Sequence, residues 1–156
     1  MNTTNAENQK NLSLIPPIAR IRKSAAEEIW VSLVEWMGKK RIDLRIHFRG
    51  ENGPQPTQKG VSLSLDSYEA LREAIDTLEG FVDESEPLEP LRISKNRREE
   101  VRISIDEYKG RKFVSIRVFY SDKDGEFRPT RKGITFPPSH LAEMQKAINA
   151  ISRVKT

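Results

Sequence analysis

The sequence predicts an α+β chain of two tandem modules, each four strands and a C-terminal helix, packed on one another as an intramolecular pseudo-dimer. Three observations predict it. The chain repeats itself, and the apolar period within each copy changes once from strand to helix. Gly and Pro recur where the pattern breaks.

The repeat is read directly. Residues 27–48, EEIWVSLVEWMGKKRIDLRIHF, match residues 99–120, EEVRISIDEYKGRKFVSIRVFY, at an offset of 72. Ser32/Ser104, Glu35/Glu107, Gly38/Gly110, Lys40/Lys112 and Arg45/Arg117 are identical. The match resumes at an offset of 73, PTQKGVSL (56–63) against PTRKGITF (129–136), so the intervening loop gains one residue. Upstream, ARIRK (19–23) echoes LRISK (91–95), a short basic arm before each copy.

The elements follow in order. Ile29, Val31 and Leu33 alternate with other residues, as do Val101, Ile103 and Ile105, the period of a strand with one buried face. Met37-Gly38 and Lys109-Gly110 turn the chain into a second strand, 41–48 or 113–120. The loops GENGPQ and SDKDGEF carry Asn-Gly and Asp-Gly and predict hairpins. A short third strand and a fourth, opening at Lys59-Gly60 or Lys132-Gly133, complete the set. Tyr68, Leu71, Ile75, Leu78 and Val82 then fall at helical spacing, repeated by Leu141, Met144, Ile148 and Ile151. Asp66 with Glu69 reads as a capping box, and Ser139 after two prolines as an N-cap. The expected boundaries are a disordered polar tail at 1–18, modules at 19–82 and 91–153, and an acidic, Pro-containing linker at 83–90. A module of about 60 residues buries little core alone, so the copies are expected to pack together.

Composition narrows the function. With 156 residues, 36% apolar and 32% charged, the chain fits the globular class. No apolar run approaches the roughly 20 residues of a membrane helix, and no leader is expected at the N-terminus. The lack of cysteine excludes disulfides and thiolate metal sites, and fits a reducing compartment. The net charge of +4 conceals a segregation: residues 66–90 hold nine acidic residues and one basic, a local −8, leaving +12 elsewhere. A basic face backed by an acidic one suits a polyanionic partner.

Binding single strands needs flat side chains for the bases and cations for the phosphates. Trp36 and Tyr108 fall on the strand face opposite the buried alternation, beside Lys39 in one copy and Lys109 and Arg111 in the other. Arg45 and Arg117 lie along the second strand, and Lys59, Arg131 and Lys132 open the last. Phe48 and Tyr120 stand opposite Arg45 and Arg117 by strict alternation, and join that face only through a bulge or bend. Enzyme chemistry has little support. His47 and His140 lie in unrelated contexts, and no Ser-His-Asp order, metal-ligand spacing or glycine-rich phosphate loop occurs. Glu35 and Glu107 read as halves of cross-strand ion pairs rather than a catalytic pair. No cofactor is expected.

VRISIDEYKGRKFVSIRVFYSDKDGEFRPTRKGITF resembles the core of the positive cofactor four family of transcriptional coactivators. The shared pattern is an aromatic before a Lys-Gly turn, an Ile-Arg-x-aromatic-aromatic strand end, an acidic-Gly hairpin and Pro-x-Arg/Lys-Lys-Gly. Both copies together cover about residues 19–153; the first is the weaker match, with Met37 for Lys109 and Gln58 for Arg131. The resemblance implies a curved antiparallel sheet that dimerises and grips single-stranded or melted DNA while modulating transcription; Whirly and Pur-alpha proteins are similar. The family's aromatic and basic contact positions fall on Tyr108, Lys109, Arg111, Arg117, Tyr120, Arg131 and Lys132, and in the first copy on Trp36, Lys39, Arg45, Phe48 and Lys59. Two modules in one chain imply a monomer with an internal twofold, in the cytoplasm of a bacterium or the nucleus of a eukaryote. RNA and a docking surface on the transcription machinery stand as alternatives.

Overall fold

The computed structural model describes residues 16–84 and 88–154. Residues 1–15 of the expected tail and 85–87 of the expected linker lie outside the described residues. The first module runs β1 (Ala19–Arg22), β2 (Glu27–Trp36), β3 (Lys39–Gly50), β4 (Gly53–Ser64) and α1 (Tyr68–Glu79). The second runs β5 (Leu91–Ser94), β6 (Glu99–Tyr108), β7 (Arg111–Ser121), β8 (Phe127–Phe136) and α2 (Leu141–Ala150). Each set of strands is an open antiparallel sheet in sequential order.

Four strands per module is the expected number, but they divide differently. The basic arm is itself the first strand, paired Ile21 to Ile29 and Ile93 to Val101. The expected third and fourth strands are one long strand with a bulge. Between Arg45↔Gly60 and His47↔Pro56, β3 advances two residues while β4 advances four, and β7 and β8 repeat the irregularity between Arg117↔Gly133 and Phe119↔Pro129. A bulge on an edge strand accommodates the proline that a central ladder would reject.

The helix starts also differ from expectation. A 3₁₀ turn precedes each helix, and Ser64 accepts from the Asp66 N–H at 3.1 Å, one element upstream of the expected box. Ser139 lies inside the second turn, behind Pro137 and Pro138, whose missing N–H groups leave less to cap.

Alternation sends Ile29, Val31, Leu33, Ile42, Leu44 and Ile46 to the helix side of the first sheet, where α1 adds Leu71, Ile75 and Leu78. Val101, Ile103, Val114, Ile116 and Val118 repeat the pattern beneath Met144 and Ile148. These residues form one core shared by both modules. Across it α1 packs on α2 and β4 on β8, and the lesser contacts include two reciprocal pairs, α1 with β5 and α2 with β1, β3 with β8 and β7 with β4, while α1 also touches β6. Such reciprocity is what an approximate twofold requires. Polar links join the same halves. Gln145 Nε2 donates to Asp76 at 3.1 Å and Glu79 at 2.7 Å, and Lys112 Nζ donates to the carbonyls of Val82 and Glu84 at 3.0 and 2.9 Å. Lys112 therefore does not pair with Glu107, its cross-strand neighbour. Neither Glu35 nor Glu107 makes the expected ion pair among the described residues.

Candidate nucleic-acid interface

Both helices cover one side of the sheets, so the even-numbered side chains of β2 and β6 face away from them. Trp36 and Tyr108 end those strands, 64% and 65% exposed. Each stands beside a two-residue turn in which both residues have positive φ, Met37-Gly38 (51° and 76°) and Lys109-Gly110 (51° and 76°). Such turns match the right-handed twist of the strands they join. Lys39, Lys109 and Arg111 surround the tips, all exposed, and Lys109 Nζ lies 5.4 Å from the Tyr108 ring centroid.

The Pro-Thr-x-Lys-Gly segments build the bulges. Thr57 donates its hydroxyl to the Ile46 carbonyl at 2.8 Å and accepts from the Lys59 N–H at 3.1 Å; Thr130 does the same with Val118 and Lys132. The bulge leaves Lys59, Arg131 and Lys132 exposed. Gly60 and Gly133 are required by close approach rather than by φ. A Cβ there would meet the Arg45 or Arg117 side chain at 2.7 and 2.9 Å, because each arginine side chain lies against its glycine. Arg45 and Arg117 donate to the carbonyls of Thr57 and Thr130 at 2.8 and 3.0 Å. Arg45 is also held bidentately by Asp43 at 2.9 and 3.0 Å. Ser115 replaces that carboxylate in the second module, so Arg117 keeps its charge unneutralised among the described residues.

Phe48 and Tyr120, 50% and 42% exposed, stay on the helix side of the ladder. The bulges lie in β4 and β8, while β2–β3 and β6–β7 pair without interruption, so alternation past Ile46 and Val118 is kept. The structure thus brings together the tip aromatics and the bulge cations on one face and leaves these two rings at the far end of the hairpins.

The same face carries two clusters that the sequence reading did not assign. In the first module Trp30 stacks on His47 at 3.9 Å, with Arg20 4.8 Å over its other side. Glu28 binds both, accepting from Trp30 Nε1 and Arg20 Nε at 2.9 Å each. Burial alone would raise the Glu28 carboxyl, but these hydrogen bonds and the charges of Arg20 and Arg22 hold it below its usual range. Burial pushes His47 down from its ordinary value, against a backbone hydrogen bond at Arg45 and the charge of Asp43. In the second module Arg102 covers Phe119 at 4.3 Å and pairs with Glu100 at 2.6 Å. The available signal was the paired Glu-Glu start and the echoed basic arm, both conserved between the copies.

Two open antiparallel sheets, each followed by a helix, place the chain in the α+β class. A family model described as Transcriptional Coactivator p15 (PC4) matches residues 23–74 and 93–147, and the chain belongs to that family. Among solved structures it is similar to a PC4 homolog from Burkholderia pseudomallei K96243. The orthorhombic form gives 33% identity over 46% of this chain and 95% of that one, TM-score 0.40. The tetragonal form gives 33% identity over 43% and 96%, TM-score 0.38. A bacteriophage T5 homolog of the eukaryotic transcription coactivator PC4, implicated in recombination-dependent DNA replication, gives 23% identity over 43% and 80%, TM-score 0.39.

Proposed function

We propose that this protein binds single-stranded or melted DNA without altering it and acts on transcription, one chain doing the work of a dimer. One observation carries the reading: two hairpin tips each present an exposed aromatic ring and cations on a helix-free face. Bases stack on such rings only when unpaired, and the surrounding cations follow the phosphates. Membership in a family of transcriptional coactivators supports the same reading.

The test is fluorescence titration with oligo-dT. Trp36 is exposed and Trp30 is sandwiched, so quenching reports the tip. The seven cations Lys39, Arg45, Lys59, Lys109, Arg111, Arg117 and Lys132 suggest on the order of four to seven phosphate contacts. At about −0.7 per contact the log–log salt slope is roughly −3 to −5. Tighter binding to duplex, or a slope near zero, refutes the proposal. Preference for an RNA oligomer of equal sequence indicates contacts to the 2′-hydroxyl instead. Light scattering is expected to give a monomer mass.

A further inference from the structure

The two modules hold the same arginine in different ways. On β3, Arg45 donates from all three guanidinium nitrogens. Nε reaches Asp43 Oδ2 at 3.0 Å, Nη2 reaches Asp43 Oδ1 at 2.9 Å, and Nη1 reaches the Thr57 carbonyl at 2.8 Å. On β7, Arg117 donates Nη1 to the Thr130 carbonyl at 3.0 Å, and its Nε and Nη2 have no partner among the described residues. Those two nitrogens form the edge on which a guanidinium meets a carboxylate or a phosphate bidentately. In the first module Asp43 thus takes the place that a phosphate would take. In the second, the equivalent position holds Ser115, which carries no charge.

The neighbours widen the difference. Across the ladder Arg45 faces Trp30, whereas Arg117 faces Arg102. The nearby carboxylates are engaged elsewhere: Glu100 pairs with Arg102 at 2.6 Å, and Asp106 accepts from Ser104 Oγ at 3.1 Å. Like charges directly opposite one another destabilise a sheet. Arg117 is therefore held unfavourably in the free protein, and an anion on its open edge would relieve it.

We propose that the residue at positions 43 and 115 ranks the two modules: Asp43 competes with phosphate for Arg45 while Ser115 leaves Arg117 open, so a short single strand fills the second module first. The proposal rests on the single-strand reading and adds an order to it. Two identical modules would offer two equal sites along the phosphate track; this chain offers one open arginine and one closed by its own carboxylate. Asp43 acts on the ligand only through Arg45.

The test uses the full chain and a short end-labelled oligo-dT across a salt series. Anisotropy of the label reports either module, whereas quenching of the exposed Trp36 reports the first. In the wild type the affinity from anisotropy is expected to exceed that from Trp36. A phosphate contact worth about 0.7 in log–log slope is worth about fivefold in affinity between 1 M and 0.1 M salt. Asp43→Ser, which copies the second module, is expected to tighten the Trp36-reported affinity about fivefold at 0.1 M salt, converging with the wild type at 1 M. Asp43→Asn keeps the shape, removes the charge, and is expected to gain in the same direction. Arg117→Ala is expected to lose about fivefold by anisotropy. Arg45→Ala is expected to lose less than twofold by Trp36 quenching, rising to about fivefold once Asp43 is replaced by Ser. Unchanged or weaker binding in both Asp43 variants overturns the proposal, because the carboxylate then aims Arg45 at the strand instead of standing in its way. Equal losses in Arg45→Ala and Arg117→Ala overturn it too. Both outcomes leave single-strand binding intact, whereas a wild type that binds no oligo-dT refutes that reading and this one together.

Discussion

Replacing Gly133 with Ala tests how the bulge aims its arginine. A Cβ on Gly133 would stand 2.9 Å from the Cβ, Cγ and Cζ of Arg117, and the three nearest atoms all belong to that side chain. Turning Arg117 about χ1 relieves the Cγ and Cζ contacts and breaks its 3.0 Å hydrogen bond to the Thr130 carbonyl, while its Cβ, fixed to the backbone of β7, stays in the way. A charged hydrogen bond contributes about 1.5–3 kcal/mol, and overpacking costs about 1–3 kcal/mol. Arg117 is half-exposed and water replaces part of the bond, so the two effects together are expected to cost about 1–3 kcal/mol. For a chain of this size that lowers the melting temperature by roughly 2–4 °C per kcal/mol. The assay is a double-mutant cycle by thermal denaturation with Arg117→Ala. Arg117→Ala removes the Cγ and Cζ contacts and keeps the Cβ contact, so Gly133→Ala is expected to cost less in that background than in the wild type without becoming neutral. Equal cost in both backgrounds would falsify the contact as the reason for the glycine. Oligo-dT affinity is expected to fall in Gly133→Ala along with Arg117→Ala, because both remove the same cation from the track.

Other outcomes follow from the same geometry. Tyr108→Ala is expected to cost about 1–3 kcal/mol of binding, a loss that persists at high salt because stacking is not screened; unfolding of the variant with residual binding intact would mark the ring as core. His47, held below its ordinary pKa by burial, stays neutral when folded while the unfolded chain takes up a proton below about pH 6.5. Stability is thus full above that pH and falls as pH drops from there toward the folded value; His47→Phe, which copies Phe119, is expected to flatten denaturant-midpoint data in this window. Leu71→Ala, fully buried between α1 and the sheet, is expected to cost about 2–5 kcal/mol by chemical denaturation, against under 1 kcal/mol for the exposed Glu73→Ala.

The sequence by itself determined the tandem repeat, the strand-to-helix order and the face that carries Trp36 and Tyr108. Those depend on periodicity and on turn residues, which act over a few neighbours: Gly38 and Gly110 need positive φ whatever surrounds them. The identity of the strands was less legible. ARIRK and LRISK are too short to show a period, and become strands only because β2 and β6 offer them an edge. The bulge was concealed because Pro-Thr-x-Lys-Gly reads as a break between strands, and only the Thr57 and Thr130 side chains, bonding across to β3 and β7, make each a single bent one. Strict alternation already placed Phe48 and Tyr120 away from Arg45 and Arg117, and the structure keeps them there because the bulge falls on the neighbouring strand. The stacks of Trp30 on His47 and Arg102 over Phe119 join residues 17 apart in the chain, a pairing that register decides. Local chemistry sets what each segment is; long-range packing, driven by one apolar core too large for either module alone, sets which charges end up side by side.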